Sequence, residues 1–133
     1  RLQDYYRAQL ITKPEKIKVK SADEQLLLSA RKIVEENMSD FEFNVERLAV
    51  EIGLSRMQLH RKLQSLTGLS TSAFIRSIRL NRAAQLLEQK SGNIAEIAYQ
   101  VGFNSLPYFS TCFKEQFGKA PTEFTSHLTV DFA

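Results

Sequence analysis

Between Ile52 and Glu88 the chain has no Asp or Glu, yet it carries Arg56, Arg61, Lys62, Arg76, Arg79 and Arg82. A cationic stretch with its acids placed elsewhere is an electrostatic footprint for a polyanion. Within it, Leu59, Leu63 and Leu66 recur at helical spacing and face inward on a helix. Arg56, Met57, His60, Arg61 and Gln64 then point elsewhere. Arg can make paired hydrogen bonds to guanine O6 and N7, His can bond a base or a phosphate, and Met can touch a thymine methyl. Arg56, early in the helix, suits a phosphate as well as a base.

Other chemistry lacks its residues. Cys112 is the one cysteine, so an internal disulfide framework and a CxxC site are excluded. His60 and His127 are the two histidines, too few for a His-rich metal site. There is no Gly-rich phosphate loop, and neither histidine sits in a nucleophile context. No catalytic, cofactor or metal site is expected, and the domain is read as no enzyme. RNA readers interleave exposed aromatics on a sheet, and that pattern is missing. No apolar run approaches the ~20 residues of a membrane span, and the segment after Arg1 has no signal-peptide core. A cytoplasmic location is expected. The start at Arg1 suggests a fragment of a longer protein, in which residues 1–22 connect from a preceding domain.

The 133 residues, 43% of them hydrophobic, suffice for one compact domain or two small subdomains sharing helices. The net charge is +3. Leu2, Tyr5, Tyr6 and Leu10 could line a short helix, while Lys16 to Lys20 alternates charged and apolar residues, an extended pattern. Ser21 and Glu24 fit a capping box for a first helix whose apolar stripe is Leu27, Ala30, Ile33, Val34 and Met38. Asn44 caps a helix over 45–52 that stops at Gly53; Ser55 caps one running to about Thr67. Ser70 or Thr71 opens a long helix to about Gln89. Shorter helices follow over about 94–101, 105–117 and 121–127, the last beginning at Pro121. Pro107 falls in a first turn, where it is tolerated. No segment of the main body reads as a strand, so the fold is all-α with about seven helices.

The chain repeats itself. Val45-Glu46-Arg47-Leu48-Ala49 matches Ile94-Ala95-Glu96-Ile97-Ala98 in apolar pattern at an offset of 49, and Asn44/Asn93, Gly53/Gly102 and Leu54/Phe103 keep it. After one extra residue at Asn104-Ser105 the offset becomes 50: Leu59 with Phe109, Leu63 with Phe113, Phe74 with Phe124. In each copy a small residue (Ala49, Ala98) lies four positions before a glycine, an apolar residue follows, and a longer helix begins. That is the logic of a helix-turn-helix. Alanine permits close helix approach, and the glycine supplies a positive φ. Two such units, over 45–67 and 94–117, are joined by the helix Thr71 to Gln89, roughly 28 Å at ~1.5 Å per residue. Reading helices on that scale could enter major-groove segments one turn apart, ~34 Å.

Taken together, Val45 to Ala49, Gly53-Leu54-Ser55, Arg61-Lys62-Leu63, Ile78 to Ala83, Ile94 to Ala98, Val101 to Asn104, Tyr108-Phe109, Phe113-Lys114, Phe117-Gly118 and Pro121 resemble the DNA-binding domain of AraC/XylS-type transcription regulators. The resemblance covers about residues 23–127 and leaves 128–133 as a tail. The wording Phe43 to Ala49 further resembles the output domains of hybrid two-component systems, whose parent chains carry histidine kinase activity. Residues 1–22 would then be a receiver-to-regulator linker. The resemblance implies double-stranded DNA with two half-sites as partner, RNA polymerase as a second, and dimerisation through upstream domains. Carried over by position, Met57, His60 and Arg61 are base-facing in the first copy, beside Arg56 and Lys62. Leu106, Pro107, Ser110 and Thr111 match them in the second, with Lys114 on a later turn. Many members place Gln, Arg or Lys at such positions, so the second copy is expected to read less. The rival reading is a helical protein-interaction module, which salt-dependent binding to duplex DNA would separate.

Overall fold

A computed structural model describes residue 3 and residues 21–125. Its helices are α1 (Ala22–Glu36), α2 (Val45–Ile52), α3 (Arg56–Thr67), α4 (Thr71–Glu88), α5 (Ile94–Gln100) and α6 (Leu106–Phe117). Residues 121–125 are helical as well, with Pro121 first, and none of the described residues forms a strand. The all-α expectation holds. The readings of Leu2, Tyr5, Tyr6, Leu10 and Lys16 to Lys20, and of residues 126–133, fall outside the described residues.

Two compact units emerge, one built from residues 21–37 and 43–76, the other from 38–42 and 77–125. In the first, α1 turns Leu27, Ala30 and Val34 inward and packs on α2, which packs on α3. Leu48, Ala49, Leu59, Leu63, Leu66 and Phe74 are buried in the same unit. Local hydrogen bonds set the helix starts. The Asn44 side chain accepts from the Arg47 amide at 3.0 Å. Ser55 and Gln58 close a reciprocal box, with the Gln58 amide donating to Ser55 Oγ and the Ser55 amide to Gln58 Oε1. At Ser21 the hydroxyl accepts from the Glu24 amide, but Glu24 receives the Ser21 hydroxyl rather than its amide. The expected box there is half formed.

Met38 corrects the expected α1 stripe. The helix ends at Glu36, and the Asn37 side chain donates to the Ile33 carbonyl at 2.8 Å, closing the last turn. Met38 lies past that cap and is buried in the core of the second unit.

That second core gathers Leu80, Ala83, Leu87, Ile97, Ala98, Val101, Phe109 and Phe113. Its signature is aromatic. Phe103 meets Phe109 edge-on with centroids 5.1 Å apart, and Phe113 lies 4.6 Å from Phe117 and 5.4 Å from Phe124. Such pairs add about 0.5–1.5 kcal/mol each beyond area burial, and they anchor α6 on its core.

Candidate nucleic-acid interface

In the first unit the turn between α2 and α3 is Gly53-Leu54-Ser55. Gly53 has φ 86°, and its amide and that of Leu54 donate to the Ala49 carbonyl. This left-handed turn reverses the chain in three residues, which a side chain at Gly53 would oppose. Leu59, Leu63 and Leu66 then bury one side of α3. Met57, His60, Arg61 and Gln64 recur at i, i+3, i+4 and i+7 on the side left to solvent, and all four are exposed. Arg56, at the first helical position, is exposed beside them. The Arg61 guanidinium donates from Nη2 to the Met57 sulfur at 3.2 Å. The result is a strip of two arginines, an imidazole and a thioether with no carboxylate on its own helix.

Lys62 stands apart from that strip. Its Nζ lies 3.4 Å from Asp23 Oδ1 on α1, in an exposed ion pair. Exposed pairs of this kind contribute about 0–1 kcal/mol, so Asp23 draws the side chain toward α1 at little gain in stability.

In the second unit the equivalent turn is Val101 to Ser105, with Gly102 at φ 93°. The matching strip on α6 is Pro107, Ser110, Thr111 and Lys114. Pro107, Thr111 and Lys114 are exposed and Ser110 is half-buried. Leu106 is half-buried too and packs against the aromatic core. The Thr111 hydroxyl donates to the Pro107 carbonyl of its own helix. Lys114 is the one cation of this strip. Tyr108, part of the family wording but not among the expected contact residues, is 53% exposed beside it, its ring tilted on Phe103 at 5.9 Å. The signal was available: Tyr108 occupies the place of Gln58, whose amide side chain is committed to the Ser55 box.

One cation of the acid-free stretch leaves the polyanion footprint altogether. Arg79 on α4 is 7% exposed. Its Nη1 donates to the Gly102 carbonyl at 2.7 Å and its Nη2 to the Asp40 carbonyl at 2.8 Å. Desolvation lowers the guanidinium's affinity for its proton, an effect the Asp40 carboxylate opposes. Arg79 therefore clamps the turn of the second helix-turn-helix to residues 38–42 from within the unit. Arg82, half-buried, donates to Gln85. Among the described residues no group of three or more His, Cys, Asp or Glu could hold a metal. No described helix is long and apolar enough to cross a membrane.

Twin helix-turn-helix units, each with a buried leucine or phenylalanine side and a solvent-facing strip, define a DNA-binding class of domain. The family model for a helix-turn-helix domain matches residues 48–127. A protein named Histidine kinase P4, from Formosa agariphila, is 44% identical over 119 residues, which is 90% of this chain and 9% of that protein. Other curated relatives are transcription regulators, of whose length the chain spans a third or less. A solved transcriptional regulator from Chromobacterium violaceum, described as AraC-type, superposes with TM-score 0.73 at 31% identity, covering 82% of this chain and 96% of that one. The DNA-binding domain of AdpA, solved in complex with a target DNA, gives TM-score 0.72 at 27% identity over 79% of this chain and 94% of its own. The chain belongs to the AraC-type family of helix-turn-helix DNA-binding domains of transcription regulators.

Proposed function

We propose that residues 23–127 are the output domain of a signalling protein and bind double-stranded DNA with sequence preference, reading it mainly through α3. The observation that carries this is the contrast between the two strips. Arg56, His60 and Arg61 on α3 are exposed donors, whereas α6 offers Pro107, a self-bonded Thr111 and a single lysine. Arg61 reads a base, Arg56 holds a phosphate, and His60 and Met57 complete the contact. The second copy holds the backbone through Lys114, Ser110 and Thr111 or reads thymine methyls. The work is done where DNA is, in the cytoplasm. The kinase relative supports a parent chain in which residues 1–22 link this domain to a receiver and residues 128–133 form a tail. In that setting upstream dimerisation would place two copies on repeated half-sites and raise effective concentration without a new DNA contact. RNA polymerase is the partner that transcription control requires once the DNA is held.

The test is a binding-site selection on random duplexes, followed by Arg61→Ala. The variant is expected to lose about 1–3 kcal/mol on the selected site and less on random DNA. Equal losses on both would reassign Arg61 to phosphate positioning. A selected motif equally informative in both half-sites would overturn the asymmetry.

A further inference from the structure

We propose that Met57 is an oxidation site through which peroxide weakens DNA binding by this domain, an inference that rests on reading α3 as the base-facing helix. The chain has two methionines. Met38 is 8% exposed and lies in the second unit's core. Met57 is 62% exposed at the second position of α3, at the N-terminal end of the DNA-facing strip and one turn before Arg61. Water-borne oxidant reaches the second sulfur and is shielded from the first. The one thiol, Cys112, is buried.

The chemistry at Met57 is a two-electron oxygen transfer. A lone pair on the thioether sulfur attacks one oxygen of hydrogen peroxide, the O–O bond breaks, an S–O bond forms and water leaves. Sulfur is oxidised and the peroxide is reduced to water. The product is a polar sulfoxide, which sulfoxide reductases return to the thioether.

The neighbour turns this modification into a switch. Arg61 Nη2 already lies 3.2 Å from the Met57 sulfur, one helical turn away, so no backbone movement is needed for the two groups to meet. A thioether is a weak acceptor, and it gives up the guanidinium readily to a base. A sulfoxide oxygen is a strong acceptor, and a hydrogen bond from a charged donor is roughly twice as strong as a neutral one. Oxidised Met57 therefore captures part of the donor fork that Arg61 needs for a paired contact with guanine. The added oxygen also makes polar the surface that would meet a thymine methyl. Because the site is exposed, the fold is untouched.

The experiment treats the 133-residue chain, Met57→Leu and Met38→Leu with hydrogen peroxide. Peptide mass spectrometry locates the added oxygen. Fluorescence anisotropy on the selected duplex and thermal melting are read before treatment, after it, and after incubation with methionine sulfoxide reductases. Met57 is expected to gain oxygen before Met38. Affinity is expected to fall about tenfold, as for a lost bidentate pair, with an unchanged melting temperature, and to return on reduction. Met57→Leu, whatever its starting affinity, is expected to keep that affinity through treatment, and Met38→Leu to respond like the parent. Oxidation of Met57 with unchanged affinity would overturn the proposal, as would an equal fall in Met57→Leu. If the untreated chain binds no duplex, the DNA-binding reading itself fails, and the proposal with it.

Discussion

Gly53 and Gly102 occupy the same place in the two turns, with φ 86° and 93°, but they answer differently to an added methyl. A non-glycine residue in this left-handed region costs about 1–2 kcal/mol. At Gly53 a Cβ would meet nothing within 4 Å, so Gly53→Ala is expected to lose that strain and little more. At Gly102 the Cβ would overlap the Met38 carbonyl oxygen and come 2.5 Å from Arg79 Nη1. The carbonyl is backbone, not the far end of a flexible side chain, so it can give way only if the chain itself shifts. The guanidinium can withdraw only by loosening its 2.7 Å bond to the Gly102 carbonyl, and a hydrogen bond from a charged group contributes about 1.5–3 kcal/mol. Gly102→Ala is therefore expected to cost about 3–5 kcal/mol, most of what a marginal domain has. Denaturant unfolding by circular dichroism gives the two losses. Hydrogen exchange by mass spectrometry shows where they fall: in α2 and α3 for Gly53→Ala, in α5 and α6 for Gly102→Ala. Equal losses in the two variants would refute the clamp, leaving backbone strain as the whole effect.

Arg79→Lys tests the same clamp from the other side. An ammonium on a flexible stem cannot reproduce a fork that serves two carbonyls, so about 1.5–3 kcal/mol is expected to be lost in an unfolding titration. Retention of full stability would show that one bond suffices. Asn44→Ala and Asn93→Ala each remove a side-chain acceptor from a helix start, and each is expected to cost about 1 kcal/mol in a thermal melt. For DNA, about six phosphate contacts give a log–log salt slope near −5. A flat affinity between low and moderate salt, measured by anisotropy, would favour a protein-interaction module instead.

Much of this architecture was legible because its causes are local or periodic. Caps at Asn44, Ser55 and Asn93 bond three residues ahead, and a reader of sequence sees both partners in one glance. The leucines of α3 and the phenylalanines of α6 declare their buried sides by spacing, and the repeat made each copy a check on the other. What stayed hidden depends on residues far along the chain. The acceptors of Arg79 sit 23 and 39 positions away, so sequence alone groups this clamp with the other cations of the acid-free stretch. Lys62 follows Arg61 in sequence, but the carboxylate it pairs with, Asp23, is 39 residues distant and invisible at that spacing. Met38 fits the α1 stripe by period, but the Asn37 side chain ends the helix before the period can be used. In each case charge type or spacing was read correctly and the partner was supplied by tertiary structure.

The two copies put different side chains on one backbone plan. Both keep the small residue, the left-handed glycine and the capped second helix, because these set the turn and no other residue types satisfy it as well. Elsewhere they diverge in opposite directions. The first copy buries α3 with Leu59, Leu63 and Leu66 and leaves the strip above it to Arg56, His60 and Arg61. The second rests α6 on Phe103, Phe109 and Phe113, half-buries Leu106 and Ser110 of its strip, and has its turn bolted from behind by Arg79. A strip of exposed donors can discriminate bases because each donor can be matched or left unmatched by the groove. A weakly polar strip has less to match. On the proposed reading, discrimination rests on the first unit, and substitutions in its strip are expected to change base preference more than substitutions in the strip of the second.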